Sequence, residues 1–119
     1  MKELSSKQIM LDIGGWSPLN FNLIKRIGLK EATLLAFLIH QEDFWISIGK
    51  IQNDGSFYVT QECLKNWLDI SHTTQIKLLN TLESYKLIKI FYKSVPGKPQ
   101  QTRFIKINKK KLRELAAQP

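Results

Sequence analysis

The sequence is poor in the features that define several classes of protein. It has one cysteine, Cys63, with six glycines and four prolines among 119 residues. A single cysteine excludes an intramolecular disulfide framework and a multi-cysteine metal site, and it favours a reducing compartment. No apolar run reaches the roughly 18–20 residues of a membrane span, and the first ten residues lack the apolar core of a secretory signal. We therefore expect a cytoplasmic protein with one domain and no membrane contact.

Acidic residues are nearly absent from the last third of the chain. Residues 86–119 carry ten Lys and Arg but one acid, Glu114, whereas residues 1–85 carry eight basic and nine acidic residues. The formal net charge of +8 therefore belongs to the C-terminal third. Such asymmetry is typical of a surface for polyanions, because each Lys or Arg set against a phosphate releases counterions. A solvated basic tail is the alternative.

Hydrophobic periodicity predicts the structure of some segments in the first half of the chain and leaves others open. Residues 1–15 lack a strong period and are interpreted as a loosely ordered leader. For residues 16–27, a helix starting at Ser17-Pro18 and a short alternating strand both fit, and the choice stays open. Residues 29–39 predict a helix buried on several sides, which continues through Trp45 if the apolar stripe does.

Two capping signals predict a pair of short helices. Asp54-Gly55 marks a tight turn before a short β-prone run, and Thr60 is an N-cap for a helix that ends near Asp69. Ser71 caps a third helix over residues 71–86. Because so few residues separate the two helices, they must meet at a sharp angle, which is the spacing of a helix-turn-helix.

The third helix has two different faces. Spacing its residues by 100° predicts a buried face of Gln75, Leu78, Leu79 and Leu82. The opposite face is largely polar and consists of Thr73, Ile76, Lys77, Asn80 and Ser84. Two strands, residues 87–92 and 102–107, follow around the turn-rich loop 94–101, and residues 109–117 predict a last helix with little apolar surface.

This order of elements predicts a winged helix-turn-helix, an α+β fold with a three-helix core, a β-hairpin wing and a short C-terminal helix. We expect the domain to span residues 16–108, with residues 109–119 as a short helix or a linker to a further domain. The third helix would enter the major groove of double-stranded DNA, which is about 12 Å wide and admits one α-helix. The wing would reach phosphates or the adjacent minor groove.

The chain also resembles a known family. Its matching positions are Asp54-Gly55 before Phe57-Tyr58, the cap Ser71, Leu87-Ile88 and Val95-Pro96. They resemble the N-terminal winged-helix domains of replication initiators and replisome organisers from phages and plasmids of Gram-positive bacteria. The resemblance implies origin recognition in DNA replication, with helicase-loading or other replisome proteins as further partners.

Two departures from that family affect the expected contacts. His72-Thr73-Thr74 stand where the family usually has Arg or Lys after the cap, which removes the expected arginine reader of guanine. The loop gains residues 97–101, which predicts a longer wing with more backbone contacts.

The candidate DNA-binding residues form two groups. Those on the recognition helix are Ser71, His72, Thr73, Thr74, Ile76, Lys77 and Asn80, and those on the wing are Lys93, Lys98, Gln101 and Arg103. Asn80 suits adenine and Lys77 suits guanine, with simple solvation as the alternative for either. Ile76 fits a thymine methyl or a protein interface equally well. His72 is either a phosphate donor or plain surface.

No catalytic constellation is present in the sequence. The run that begins at Gly97 lacks the residue order of a phosphate-binding loop, and His40, His72 and Cys63 do not have the spacing of metal ligands. We expect no enzymatic activity, metal, cofactor or small-molecule substrate.

Other binding roles stay open. A transcriptional regulator would use the same surface, and a winged-helix protein–protein assembly module would bury the recognition helix instead. A homodimer is also open: Trp16, Trp45 and Trp67 are predicted core residues, although Trp16 and Trp45 are alternatively the cover of a dimer surface.

Overall fold

A computed structural model describes residues 4–117, and within that range it has six helices and a three-stranded antiparallel sheet. The helices are α1 (Ser6–Ile13), α2 (Phe21–Ile27), α3 (Leu29–Ser47), α4 (Gln61–Leu68), α5 (His72–Ser84) and α6 (Lys109–Ala117). The strands are β1 (Phe57–Tyr58), which lies between α3 and α4, and β2 (Ile88–Lys93) and β3 (Thr102–Ile107), which lie between α5 and α6. The predicted α+β class is confirmed. None of the helices described is long and apolar enough to cross a membrane.

Helix α3 forms the centre of the hydrophobic core. Its side chains Leu34, Leu35 and Leu38 are at most 1% exposed. Helices α2 and α5 and strand β1 pack around it, so it is covered on several sides. The predicted helix over residues 29–39 is confirmed and continues to Ser47.

The ambiguous segment before α3 is helical only in its second half. Asn20 is the N-cap of α2, because its Oδ1 accepts a hydrogen bond from the Leu23 N–H at 3.0 Å. Ser17 does not cap a helix; its hydroxyl donates to the Ala36 carbonyl at 3.1 Å. Gly28 then separates α2 from α3 with a φ of +105°, a conformation that a residue with a Cβ rarely adopts.

The sheet buries one of its faces against the helices. Its strand order is β1-β3-β2, so β3 is central and pairs antiparallel with both neighbours. In register, Ile88 lies opposite Ile107, and Ile105 lies between Ile90 and Phe57. Apart from the half-buried Ile90, these side chains are nearly inaccessible to solvent.

The two short helices begin at the caps that the sequence predicts. The Thr60 hydroxyl accepts from the Cys63 N–H at 3.0 Å, and the Ser71 hydroxyl accepts from the Thr74 N–H at 3.3 Å. Between the helices, Asp69 adopts a left-handed conformation with φ 53° and ψ 44°, which turns the chain sharply. Helix α5 ends at Ser84, two residues before the predicted end.

A buried glutamine fastens α5 to α4. Gln75 is 0% exposed, and its side-chain amide donates to the Gln61 carbonyl at 3.0 Å and to the Ile70 carbonyl at 3.1 Å. The Gln61 carbonyl lies at the start of α4 and the Ile70 carbonyl lies in the turn before α5, so a single side chain helps to fix the angle between the two helices.

Residues 1–15 were expected to form a leader without regular structure, but α1 occupies much of this segment. The Ser5 hydroxyl accepts from the Gln8 N–H at 3.1 Å, a capping bond that ordinary sequence patterns do not distinguish from a surface serine. No residue of α1 is buried. Residues 1–3 lie outside the described range, as do residues 118–119 of the C-terminal segment.

Helix α6 is more firmly attached than its sequence suggests. Leu112, Leu115 and Ala116 pack against the hydrophobic core, and the Asn22 side-chain amide donates to the Ala116 carbonyl at 2.9 Å. These three residues share one face at the i, i+3, i+4 spacing, which is why a helix of low overall apolarity still docks.

The three tryptophans do not form a common core. Trp45 is half-buried and packs against Tyr58, with 4.8 Å between the ring centroids and 46° between the ring planes. In contrast, Trp16 is 40% exposed and Trp67 is 65% exposed. The expectation of a core residue is therefore wrong for Trp67, because the short helix α4 buries only Leu64 fully and turns Trp67 outward.

Candidate nucleic-acid interface

Helix α5 presents the polar face that its sequence predicts. Thr73, Ile76, Lys77 and Asn80 are all exposed, as is Ser84. The four residues of the predicted buried face are all buried: Gln75, Leu78, Leu79 and Leu82. A helix of 13 residues is about 20 Å long. It therefore offers an exposed surface of the length and width that one major groove admits.

Two of the candidate residues on this helix are engaged within it. Besides its capping bond, the Ser71 hydroxyl donates to the Thr74 hydroxyl at 3.0 Å. Thr74 is half-buried and faces a pocket shared with Leu29 and Lys30 of α3, on a different side from the exposed residues. His72 occupies the first position of the helix, where backbone N–H groups have no intrahelical acceptor.

Strand β2 places its side chains on opposite sides of the sheet. Successive residues of a strand alternate between the two faces. Tyr92 comes two residues after Ile90 and four after the buried Ile88, so it lies on the same side of the sheet as they do, the side of the helices. It lies opposite Arg103 in the register. Lys93, the next residue, lies on the other side, together with Phe91.

Lys93 is consequently not beside Lys98 and Arg103, with which the sequence groups it. Its ammonium forms an ion pair with the Asp54 carboxylate at 3.1 Å and contacts the Ser56 hydroxyl at 3.1 Å. It also lies 4.8 Å from the centre of the Phe104 ring. The hydrogen bonds from Ser56, and then the contact with Lys93, hold the pKa of Asp54 far below its usual range. Lys93 is thus neutralised within the chain.

A cleft of about 580 Å³ separates the start of α5 from the hairpin loop. Five of the eleven candidate residues line it: His72, Ile76, Lys98, Gln101 and Arg103. The other lining residues are Val59, Thr60, Gln61, Tyr92, Pro99, Gln100 and Thr102. No aspartate or glutamate is among them. The cleft is therefore cationic without a carboxylate to neutralise it.

Arg103 forms hydrogen bonds within the fold and also lines the cleft. Its guanidinium donates to the Val59 carbonyl from Nε at 3.3 Å and from Nη2 at 3.1 Å. Burial lowers the pKa of Arg103, and the neighbouring Tyr92 partly offsets that shift. An arginine nevertheless keeps its charge in a protein. Arg103 thus holds the hairpin against the segment that enters α4 while contributing a positive charge to the cleft.

Sequence reasoning missed Tyr92 as a cleft residue. Tyr92 is 61% exposed although it lies on the same side of the sheet as the core residues Ile88 and Ile90. The hairpin extends beyond the core at this point, so a position with core periodicity emerges into the cleft. Strict alternation along β2 was the signal that separates Tyr92 from Lys93.

A second hollow, of about 720 Å³, lies on the other side of the sheet. It is lined by three lysines, Lys89, Lys106 and Lys109, and by two carboxylates, Glu42 and Asp54. Burial raises the pKa of Glu42, and the charge of Lys109 partly opposes that shift. The lysines of the C-terminal third are therefore divided between two surfaces.

Known proteins give no further indication of what this chain does. No family model, curated protein or solved structure matches this chain. Across residues 4–117, no three His, Cys, Asp or Glu side chains are grouped closely enough to hold a metal ion. The cleft and the exposed face of α5 are therefore the features that bear on function.

Proposed function

We propose that this chain is a winged-helix domain that binds double-stranded DNA. In this proposal α5 enters the major groove, and the β2–β3 hairpin is the wing that follows the phosphate backbone. The observation that carries the proposal is the cleft, because it joins the first turn of α5 to Lys98 and Arg103 and is lined by no carboxylate. A phosphate chain is the common biological ligand that gains most from such a surface.

The proposal gives separate roles to the two parts of the surface. Lys98 and Arg103 bind phosphates and fix the position of the helix without reading sequence. Lys77 and Asn80, which are exposed on α5, reach the base edges, where an asparagine suits adenine and a lysine suits guanine. Ile76, at 42% exposure, meets a thymine methyl group.

We propose origin recognition in phage or plasmid replication as the biological setting. Support for this setting is the resemblance carried by Asp54-Gly55, Ser71, Leu87-Ile88 and Val95-Pro96. Helicase-loading proteins are the partners that this setting implies. A transcriptional regulator would use the same helix and wing, and the arrangement of selected sites distinguishes the two. Iterated repeats support an origin, and a single inverted repeat supports an operator.

The experiment is a selection of bound duplexes from a random pool. The wild-type chain should enrich a defined site, and the double variant Lys77→Ala/Asn80→Ala should lose that preference while keeping most of its non-specific affinity. Lys25→Ala, which removes the same charge from an exposed position on α2, is the matched control and should enrich the wild-type site. An unchanged preference in the double variant contradicts the role of α5.

A protein partner at the same surface is the second candidate. The observation in its favour is that Ile76 and Tyr92 are 42% and 61% exposed at the cleft. The two candidates differ in their salt dependence. Duplex binding should weaken with a log–log slope of roughly −0.9 per phosphate neutralised, whereas binding through apolar contacts should change little with salt.

A further inference from the structure

Helix α1 is formed although none of its residues is buried. Ile9, Met10 and Ile13 share one side of the helix at i, i+1 and i+4, and they are 45%, 56% and 76% exposed. An isolated helix of eight residues is unstable in water, because nucleation costs more than a few hydrogen bonds return. Its apolar side therefore needs a surface to cover it.

The chain carries an apolar groove that fits such a helix. The groove has a volume of about 400 Å³ and is bordered by Trp16, Leu19, Phe37, Trp67 and Leu68. Phe37 and Trp67 contact each other with ring centroids 6.3 Å apart. Trp67 exposes most of its surface, so the groove is open to solvent along one wall.

We propose that α1 of one copy of this chain docks in the groove of a second copy, and that the exchange is reciprocal. Gly14 and Gly15, both at positive φ, are the only residues between α1 and Trp16 in the groove wall. No residue of α1 lines the groove of its own copy, and the chain measures 57 Å in its longest dimension against 32 and 29 Å. A two-fold axis then gives each groove the other copy's α1.

The exposed apolar area reaches the lower end of what a stable dimer needs. The apolar side of α1 and the groove wall together expose six large side chains by 40% to 76%: Ile9, Met10, Ile13, Trp16, Leu19 and Trp67. At roughly 100 Å² each, they amount to roughly 600 Å² per copy and, because the exchange is reciprocal, to about 1,200 Å² for the pair. Stable protein interfaces bury about 1,200–2,000 Å² in total.

The charges of this region also favour a second copy over other occupants. Within residues 4–21 the only charged side chains are Lys7 and Asp12, so two chains of formal charge +8 can meet here without strong repulsion. The groove is lined by no Asp, Glu, Lys or Arg. A helix that lies on an anionic lipid surface carries a basic face, which α1 lacks.

The first test is the molar mass of the chain in solution, measured by sedimentation or by light scattering after size exclusion. The wild-type chain should be a dimer. The double variant Ile9→Asp/Ile13→Asp should be a monomer, and its circular dichroism spectrum should differ from that of the wild type by no more than the loss of one short helix. Ile48→Asp, at 45% exposure on the distant end of α3, is the control and should stay dimeric. A wild-type chain that is monomeric up to about 1 mM, far above the Kd of a stable interface, overturns the proposal.

The second test separates an exchange from other dimers. Ile13→Asp disables α1, and Trp67→Asp disables the groove, so each variant alone should be monomeric. A mixture of the two keeps one intact α1 and one intact groove in each pair, and it should form heterodimers with weaker affinity than the wild type. If Trp67→Asp alone still dimerises, the contact is between two α1 helices; if the mixture stays monomeric, there is no exchange. Either result overturns the proposal.

Discussion

The hollows on the two sides of the sheet differ most in whether carboxylates line them. The cleft beside α5 has Lys98 and Arg103 and no carboxylate. The hollow on the other side has three lysines, but it also has Glu42 and Asp54. The hollow that has more lysines is therefore also the one that contains carboxylates, and one of these, Asp54, pairs with a fourth lysine, Lys93.

This difference shows that the position of a few acids decides which basic surface is available. All the lysines involved come from the C-terminal third, which carries almost no acid. The neutralising carboxylates come from the loop before β1 and from α3, and only the fold brings them to the lysines. A count of charges along the chain could not separate the two surfaces.

The largest expected effect comes from reversing one charge on each side of the sheet. Lys98→Glu in the cleft should weaken duplex binding on the order of tenfold at about 0.1 M salt, because one phosphate contact is lost with its counterion release. Lys106→Glu in the other hollow changes the net charge equally and should weaken binding by much less. Fluorescence anisotropy with a labelled duplex, repeated over several salt concentrations, measures both.

The salt series identifies the cause of any loss. Lys98→Glu should also reduce the slope of log affinity against log salt by about one unit, whereas Lys106→Glu should leave it near the wild-type value. Equal losses in the two variants would mean that net charge alone drives binding and that the cleft is not the contact surface.

A second prediction concerns the contribution of Arg103 to the stability of the fold. Arg103→Met should lower the free energy of unfolding by about 1–2 kcal/mol, because the bonds to the Val59 carbonyl are charge-assisted. Urea denaturation measures the change. Lys98→Met, the matched control on the loop, should leave stability within about 0.5 kcal/mol of the wild type. If Arg103→Met is as stable as its control, Arg103 serves only as a surface cation.

A third prediction concerns the acid sensitivity of the opposite side. The pKa of Asp54 is lower in the folded chain than in the unfolded chain, where it is about 3.9. Ionised Asp54 therefore stabilises the fold above about pH 4, and this contribution is lost as the pH falls through the folded pKa. Asp54→Asn should be less stable than the wild type at neutral pH and should lose less stability on acidification. A constant difference from pH 7 to pH 2 would contradict the role of the carboxylate.

The smallest predicted effect is a gain at Glu42. Its pKa is raised in the folded chain by burial, so its ionised form is disfavoured there and its charge destabilises the fold at neutral pH. Glu42→Gln should stabilise the chain at pH 7 by less than about 0.5 kcal/mol, since solvent screens a half-exposed group. The gain should vanish as the pH falls below the folded pKa. Glu114→Gln, on the exposed surface of α6, should show no gain.

Local signals predicted much of the fold from the sequence. The caps Thr60 and Ser71, the turn before β1, and the two faces of α5 depend on residues a few positions apart, and the structure confirms each of them. The same is true of the strand positions, which differ from the prediction by a residue. These features are set by periodicity and by capping bonds, both of which can be read along the chain.

The remaining features depend on contacts between distant residues. The hydrogen bond from Arg103 to the Val59 carbonyl joins positions 44 residues apart, and no local sequence pattern predicts it. The pairing of Lys93 with Asp54 spans 39 residues. Helix α1 was missed for a different reason: Leu11 lies on the opposite side from Ile9, Met10 and Ile13, which weakens the helical period of this short segment.

The central position of β3 has a consequence for synthesis of the chain on the ribosome. Strand β1 pairs only with β3, and β2 pairs with β3 as well, so neither has its partner until residues 102–107 have left the exit tunnel. Ile105, which is fully buried, then completes the core in one step. The sheet therefore assembles only after helices α1 to α5 have left the exit tunnel.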